Sequence, residues 1–143
     1  MKIVVAADHG GYKLKEAVKA ELTARGFEIV DLGTHSEESV DYPVYGKQAG
    51  EYVASGQAER GLVFCGAGVG IAIAANKVHG ARCAVASGDE TVRLASAHNH
   101  ANMLAFGGRL TNQEDAMRYI DIWLKTPWDG DRHDRRVTML DEM

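Results

Sequence analysis

The residues best suited to chemistry lie together in the stretch Cys65-Gly66-Ala67-Gly68-Val69-Gly70. The apolar run at residues 62–64 predicts a buried strand before this stretch, and a helix is predicted to follow at residues 71–77. A strand, a glycine turn and a helix in succession direct free backbone N–H groups at an anion. A thiol at such a turn lies at the positive end of the helix dipole, which favours the thiolate. The stretch therefore predicts an anion-binding loop that carries a base or nucleophile. The alternative is a buried thiol that only packs.

The glycine spacing differs from the two common nucleotide-binding motifs. The dinucleotide fingerprint needs a wider last spacing and a small residue at the position of Ile71, and the P-loop needs a lysine and a hydroxyl residue after its last glycine. An oxyanion-binding or sugar-binding loop remains, beside the alternative of a tight turn that uses glycine for its backbone angles.

Acidic, imidazole and guanidinium groups elsewhere in the chain are further candidates. Asp8 and His9 follow the first predicted strand, although Asp8 could equally cap the next helix. Arg132 and Arg136 are four residues apart and would share one face of a helix, which suits a phosphate group. The alternative for the two arginines is a solvated helix that pairs with neighbouring aspartates.

The segment His98-Asn99-His100 raises the question of a metal site. Residues two apart do not face each other on a helix, and no carboxylate or cysteine lies nearby in the sequence. The sequence therefore predicts no metal site here and favours one histidine as a general acid or base. A capped helix end is the alternative.

Five apolar segments alternate with helical patterns along the chain. Strands are predicted at residues 2–7, 27–32, 61–64, 82–86 and 102–106, and helices at residues 12–25, 42–55, 71–77, 90–98 and 113–125. Such alternation predicts an α/β fold with an open five-stranded parallel sheet and right-handed crossovers. Ligands bind beyond the carboxyl ends of the strands in these sheets. This rule places together at one edge Asp8, His9, residues 65–70, Ser87 and residues 107–109. His98 and Asn99 lie in the connection before the fifth strand, so the rule does not place them.

Composition sets broad limits on the class of protein. A chain of 143 residues fits a single domain, residues 1–143, and the formal charge of −4 argues against a nucleic-acid partner. Cys65 and Cys83 match neither a zinc pattern nor a disulfide framework, which favours a reducing, cytoplasmic compartment. No apolar run of about 18 residues is present, so no membrane partner is expected, and the N-terminus does not read as a signal peptide.

The ordered motifs of the whole chain resemble the ribose-5-phosphate isomerase B family, which includes allose- and galactose-6-phosphate isomerases. Any one motif is common, but the ordered set is specific. The motifs are Ala7-Asp8-His9-Gly10-Gly11, Asp41-Tyr42-Pro43, Cys65-Gly66-Ala67-Gly68-Val69-Gly70, Ile73-Ala74-Ala75-Asn76-Lys77, His98-Asn99, Gly107-Gly108-Arg109, Gly130-Asp131-Arg132-His133 and Arg136-Val137.

The resemblance implies a Rossmann-like three-layer α/β/α sandwich and an obligate homodimer, in some members a tetramer, with active sites shared across the interface. The C-terminal tail, about residues 127–143, would pack on the partner subunit. The implied reaction interconverts ribose 5-phosphate and ribulose 5-phosphate, in the pentose phosphate pathway, through a cis-enediolate and without a metal or cofactor.

The resemblance also implies residue roles. Cys65 would be the base, and His98 of the partner subunit would help to open the sugar ring, with Asp8 nearby. His9, Arg132 and Arg136 would hold the phosphate, and Tyr42, Asn99 and Arg109 would line the sugar. The backbone of Gly66, Ala67, Gly68 and Gly70 would stabilise the enediolate.

Two positions depart from the family pattern. Members commonly carry Thr or Ser where this chain has Ala67, and often Ser where it has Ala72. Ile71 cannot act as the glutamate base of another branch, so Cys65 carries the proton transfer if the chain is an isomerase. The space at Ala67 and Ala72 motivates a six-carbon sugar phosphate as an alternative substrate. The missing hydroxyl motivates a second alternative, a non-catalytic module that binds sugar phosphates.

Overall fold

The computed structural model describes residues 1–143, and its centre is one sheet of five parallel strands. The strands are β1 (Lys2–Ala7), β2 (Glu28–Asp31), β3 (Arg60–Cys65), β4 (Cys83–Val85) and β5 (Met103–Gly107). They pair in the order β2-β1-β3-β5-β4. Ala7 pairs with Phe64, and Cys65 pairs with Gly107, so the carboxyl ends of β1, β3 and β5 lie side by side.

Six helices complete the chain, and five of them cover the two faces of the sheet. The helices are α1 (Tyr12–Ala24), α2 (Tyr42–Ala54), α3 (Val69–Asn76), α4 (Asp89–Ala97), α5 (Gln113–Lys125) and α6 (Arg132–Asp141). Core side chains of α1, α4 and α5 pack on one face, and those of α2 and α3 pack on the other. The predicted three-layer α/β/α sandwich is therefore confirmed.

The strands that flank the candidate site are apolar along their length because both of their faces are covered. The last five residues of β1 and of β3 are buried, as is the whole of β5. This pattern is typical of central strands in a parallel sheet. The edge strands β2 and β4 are shorter than predicted, with four and three residues, since each has a pairing partner on one side only.

Two predicted helix starts differ from the structure. Helix α3 begins at Val69, two residues earlier than predicted, because Gly68 adopts a φ of 80° and serves as the N-cap. Helix α4 begins at Asp89, one residue earlier than predicted. Gly88 is the N-cap, and the Ser87 hydroxyl lies 3.2 Å from the hydroxyl of Thr91.

The C-terminal segment forms α6, a helix that the element prediction did not include. It contacts its own chain, where Arg82 Nη1 lies 2.7 Å from Asp141 Oδ1 and His79 Nδ1 lies 2.7 Å from the Met143 carbonyl oxygen. Packing of this segment on a partner subunit stays a prediction. None of the six helices combines the length and apolar character needed to cross a membrane.

Candidate active site

Three loops meet at the carboxyl edge of the sheet, after β1, β3 and β5. The Gly108 N–H donates to the Cys65 carbonyl at 2.7 Å, and the Arg109 N–H donates to the Gly66 carbonyl at 3.1 Å. Between β1 and β3, the chain leaves for opposite edges of the sheet, which is the switch point where ligands bind in open α/β sheets. The loops therefore lie where the topology predicts a site.

Glycine lets these loops touch through backbone alone. A Cβ atom added to Gly107 would lie 2.8 Å from the carbonyl carbon of Ala67, and one added to Gly68 would lie 2.8 Å from that of Phe106. A Cβ atom on Gly108 would collide with the carbonyl oxygen of Gly10. The glycines thus serve the close packing of the loops as well as the positive φ of Gly68.

Cys65 ends β3, and its side chain is nearly closed off from solvent, with 5% of the residue exposed. The Gly68 N–H at the start of α3 donates to Sγ at 3.2 Å. An amide aimed at sulfur, at the positive end of a helix, stabilises negative charge there. The predicted pairing of a thiol with an amide-lined loop is present.

Cys83, the second cysteine, has a different environment. It lies on the edge strand β4, and burial raises the pKa of its thiol to about 12. Cys83 therefore stays a neutral thiol at physiological pH and is unsuited to act as a base.

Asp8 is buried and holds the turn before α1, but the alternative that it caps this helix is wrong, because Gly11 is the N-cap. Its Oδ1 accepts the N–H groups of Gly10 and Gly11 at 2.8 and 3.1 Å. Its Oδ2 makes no hydrogen bond within the chain. The carboxylate therefore fixes the loop after β1 and keeps one oxygen free at the same edge as Cys65.

The imidazole of His9 is held in one tautomer. The Val40 N–H lies 3.1 Å from Nδ1, and a backbone N–H can only donate, so Nδ1 is the acceptor. The proton of the neutral ring is then on Nε2, which is left to donate to a ligand.

Two larger side chains border the thiol loop. A Cβ atom on Gly70 would lie 2.6 Å from Cε1 of Tyr42, so this ring covers the first turn of α3. A Cβ atom on Gly66 would lie 3.0 Å from Nη1 of Arg109, which places the guanidinium beside the loop. The structure thus brings together nine of the predicted residues at one edge, namely Asp8, His9, Tyr42, Cys65, Gly66, Ala67, Gly68, Gly70 and Arg109.

The other four predicted residues lie at the opposite edge of the same subunit. Helix α4 starts after β4 and returns to the amino end of β5, and His98 is its C-cap. The five residues of β5 separate the two edges by about 15 Å. His98, Asn99, Arg132 and Arg136 are therefore not brought to Cys65 within one chain.

His133 is a residue that the sequence reasoning did not assign. Its ring stacks on that of His98, with centroids 4.2 Å apart and planes 14° apart. Burial, followed by the neighbouring His98, Arg132 and Arg136, lowers the pKa of His133, which favours its neutral form. Its position next to Arg132 was the one sequence feature that could have indicated a role for His133. Its contact with His98 joins residues 35 apart, so no local pattern predicts it.

His98, His133 and Asp129 together offer three metal-ligating atoms within 4.8 Å of one another. Two nearly parallel rings direct their nitrogen lone pairs along parallel planes. A metal about 2.1 Å from one nitrogen, in the plane of its ring, would then lie outside the plane of the other ring. The stacked arrangement suits a π contact better than shared coordination. Asp129 Oδ2 lies 3.9 Å from His98 Nε2 and can orient that ring.

A cavity of about 220 Å³ opens beside Ala67. Ser87, Leu110, Thr111 and Tyr119 are among its lining residues. The prediction that Ala72 also opens space near the sugar is wrong, because Ala72 is buried in the core between α3 and the sheet. Free volume near the thiol loop is therefore found at Ala67 and not at Ala72.

This fold and edge define an open α/β protein with a thiol held on an amide-lined loop, a class suited to proton transfer on small anionic ligands. The chain belongs to the Ribose/Galactose Isomerase family, whose model matches residues 3–140.

Individual relatives agree with this assignment. Ribose-5-phosphate isomerase B of Escherichia coli is 44% identical over 139 residues, which are 97% of this chain and 93% of that protein. The crystal structure of a ribose 5-phosphate isomerase from Thermotoga maritima is similar with a TM-score of 0.96 and 46% identity, and the match covers 99% of this chain and 98% of that one. Ribose-5-phosphate isomerase B from Mycoplasma genitalium with bound ribulose-5-phosphate is similar with a TM-score of 0.93 and 32% identity, over 99% of this chain and 94% of that one.

Proposed function

We propose that the protein is an aldose–ketose isomerase that interconverts ribose 5-phosphate and ribulose 5-phosphate. The observation that carries the proposal is Cys65, whose sulfur accepts the Gly68 N–H at the start of α3. The names of the relatives from Escherichia coli and Thermotoga maritima support the choice of sugar.

The reaction moves one proton between C1 and C2 of the open-chain sugar. The Cys65 thiolate removes the proton from C2 of the aldose, and the electron pair of that bond forms the enediolate while negative charge moves to O1. The same proton then returns to C1, and the proton on O2 moves to O1, which gives the ketose. The proposal assigns stabilisation of the developing charge to the N–H groups of residues 66–70, of which that of Gly68 also donates to Cys65 Sγ.

Phosphate binding falls to residues from both edges of the fold in this proposal. His9 donates through Nε2, because the Val40 N–H occupies Nδ1. Arg132 and Arg136 lie on α6, one turn apart, at the edge that carries His98. Tyr42, Asn99 and Arg109 line the sugar between these groups.

The proposal includes a homodimer, which is supported by the separation of the two groups of residues within one chain. His98, Asn99, Arg132 and Arg136 of one subunit would complete the site around Cys65 of the other, where His98 assists ring opening. An apolar surface on α2 and α3 supports pairing, since Val44, Val69 and Ile73 are each more than half exposed. A tetramer would be a pair of such dimers. The proposal includes no cofactor and no metal, and it places the protein in the cytoplasm.

The direct test is the rate of ribulose 5-phosphate formation from ribose 5-phosphate by the wild type and Cys65→Ala. Loss of a positioned base costs about 10²- to 10⁴-fold in kcat, and the fold should persist because alanine fits the buried position. Cys83→Ala is the matched control and should keep wild-type kcat. Equal kcat in Cys65→Ala and the wild type would contradict the assignment of the base.

A six-carbon sugar phosphate is the second candidate substrate, favoured by the cavity of about 220 Å³ beside Ala67. Values of kcat/KM for ribose 5-phosphate, allose 6-phosphate and galactose 6-phosphate decide between the substrates. A higher value for either six-carbon sugar would replace the leading assignment. Binding of all three without turnover would favour a non-catalytic module.

A further inference from the structure

A buried lysine lies on α1 and has no part in the proposed chemistry. Lys15 is fully buried, and its Nζ lies 2.8 and 2.7 Å from the two carboxylate oxygens of Asp31 at the end of β2. The Tyr12 ring, 5.5 Å from Nζ, and Glu16 Oε2, at 3.2 Å, are its other neighbours. Lysine is almost never fully buried unless it is paired.

Stability alone is a poor explanation for this ion pair. Desolvation of two charges offsets much of their attraction, and replacement of a buried pair by apolar residues of similar volume is often neutral or stabilising. We therefore look for a neighbouring segment that the ion pair holds in position. Asp31 connects Lys15 to neighbouring parts of the chain, because its carboxylate also accepts hydrogen bonds from two other groups.

One of these groups is Lys19, whose Nζ lies 2.9 Å from Oδ2 of Asp31 and whose side chain is 37% exposed. The other is the Gly33 N–H, which donates to Oδ1 at 2.9 Å. Gly33 is the second residue of the loop between β2 and α2, residues 32–41. The carboxylate thus fastens this loop to the buried cation.

The loop is bonded in turn to the end of β1. The Ala7 N–H donates to the Gly33 carbonyl at 2.6 Å, and the Thr34 N–H donates to the Ala7 carbonyl at 2.7 Å. Ala7 immediately precedes Asp8 and His9. At its far end, the same loop supplies the Val40 N–H that occupies Nδ1 of His9.

We propose that Lys15 and Asp31 are positioning residues for His9. The pair holds the loop of residues 32–41 against β1, and the loop holds the His9 ring with its Nε2–H directed at the substrate phosphate. The role of His9 toward phosphate rests on the proposed function, whereas the control of its tautomer does not.

The central test replaces the ion pair by apolar residues in the variant Lys15→Met, Asp31→Leu. The variant should keep or exceed the wild-type Tm, yet it lacks the acceptor for the Gly33 N–H. Long-range ¹H–¹⁵N spectra of the imidazoles, with His9 identified by the signal lost in His9→Gln, report the tautomer without any turnover. The wild type should show one tautomer protonated at Nε2, and the variant a mixture.

Binding and kinetics provide the second readout. We expect the apolar variant to bind inorganic phosphate about tenfold more weakly, the equivalent of one displaced hydrogen bond, with a matching rise in KM for ribose 5-phosphate. The kcat value should change by less than about twofold, since Cys65 and its loop are held by other contacts. Lys19→Met is the matched control and should behave as the wild type, because Asp31 keeps Lys15 and Gly33.

Lys15→Met alone is the second variant, for the case in which the double variant does not fold. This variant removes the buried cation and leaves Lys19 as the one remaining cation that pairs with Asp31, which draws the carboxylate toward it. We expect the same changes in His9 tautomer and phosphate affinity, but smaller ones. Wild-type tautomer and phosphate affinity in a folded variant would overturn the proposal. Failure of the wild type to isomerise ribose 5-phosphate would overturn the proposed function instead, and the spectra would still decide the role of the pair.

Discussion

Ala67 lies in the thiol loop, beside the oxygens that would react in the proposed chemistry. Ala67 follows the first glycine after Cys65, and its side chain borders a cavity of about 220 Å³ together with Ser87 and Thr111. The family resemblance implies a hydroxyl residue at this position. Ser87 and Thr111 carry hydroxyl groups, which can donate hydrogen bonds as the Ala67 side chain cannot.

The variant Ala67→Ser tests the value of the hydroxyl. We expect kcat for ribose 5-phosphate to rise by as much as about tenfold, because one additional donor can stabilise the developing oxyanion. Steady-state kinetics give the value. Ala72→Ser is the matched control and should give no gain, since residue 72 is buried in the core. A fall in kcat for Ala67→Ser, with a gain for a six-carbon substrate in the wild type, would indicate that the cavity selects the larger sugar.

At the scale of elements, the site depends on contacts between backbone segments of three loops. The loop after β5 approaches the loop after β1 so closely that a Cβ atom on Gly108 has no space beside the Gly10 carbonyl oxygen. The same loop binds the Cys65 carbonyl through the Gly108 N–H at 2.7 Å. Stability and activity should therefore respond together to a single methyl group at this position.

Gly108→Ala should lower the free energy of unfolding by about 1–3 kcal/mol, the usual cost of overpacking, and should lower kcat/KM as the loops separate. Urea unfolding and steady-state kinetics measure the two effects. Gly88→Ala is the matched control because the nearest atom to its added Cβ lies 3.8 Å away and its φ of 177° is an extended conformation. A Gly108→Ala protein with wild-type stability would show that the loops can separate freely.

Acid stability should depend on the ion pair between α1 and β2. Burial alone raises the pKa of the Asp31 carboxyl, but hydrogen bonds from Lys15 and Lys19 outweigh burial and hold this pKa below its usual value. The resulting stabilisation is present above the unfolded-state pKa, near 3.8, and is lost as the pH falls through the lower pKa of the folded state.

The variant Lys15→Met, Asp31→Leu should accordingly show a weaker decline in Tm than the wild type between about pH 5 and pH 2. Thermal unfolding followed by circular dichroism at several pH values gives the comparison. Glu28→Gln, a change at an exposed carboxylate of the same strand, should follow the wild-type curve. Parallel curves for the double variant and the wild type would mean that Asp31 does not contribute to acid unfolding.

The sequence predicts the strands and most helix bounds, because apolar periodicity and glycine stops are local signals. The alternation of strands and helices then predicts the parallel sheet between two helix layers. Helix α5 matches its predicted residues, 113–125. The start of α3 could not be placed, since it depends on Gly68 packing against Phe106. Helix α6 was not among the predicted elements, because the tail is mostly charged. Its position is fixed by long-range contacts, such as the ion pair of Arg82 with Asp141.

The candidate site was predictable to the extent that it follows strand ends. Asp8 and Cys65 come directly at the ends of β1 and β3, so topology alone gathers them. His98 follows a helix, and its place at the opposite edge emerges from the direction in which α4 runs. The ion pair of Lys15 and Asp31 joins residues 16 apart with no local pattern, and a charged residue on a helix face ordinarily predicts exposure.

At the scale of the whole molecule, the proposed enzyme is complete only as an assembly. One edge of each subunit carries Cys65, and the other carries His98, Arg132 and Arg136. A symmetric pair of chains would give two such sites, each composed of unlike halves. Defects in the two halves should therefore compensate for each other when they reside on different chains.

A mixture of Cys65→Ala and His98→Ala subunits tests this arrangement. Each variant alone should have little activity, whereas random exchange of equal amounts should recover about a quarter of the wild-type value, because half of the dimers carry one intact site. Denaturation and joint refolding allow the exchange, and size-exclusion chromatography with light scattering gives the assembly state. A mixture with no more activity than its components would place both residues in a site formed by one chain.

The backbone contacts among the three loops also bear on how this protein can evolve. At Gly68, Gly107 and Gly108, the neighbouring chain occupies the space that any side chain would need, so selection has few substitutions there on which to act. Variation is left to positions with room beside them, and Ala67 and Leu110 border such room. Divergence toward new sugars is thus expected to proceed through the rim of this cavity, while the glycines that hold the three loops together are inherited unchanged.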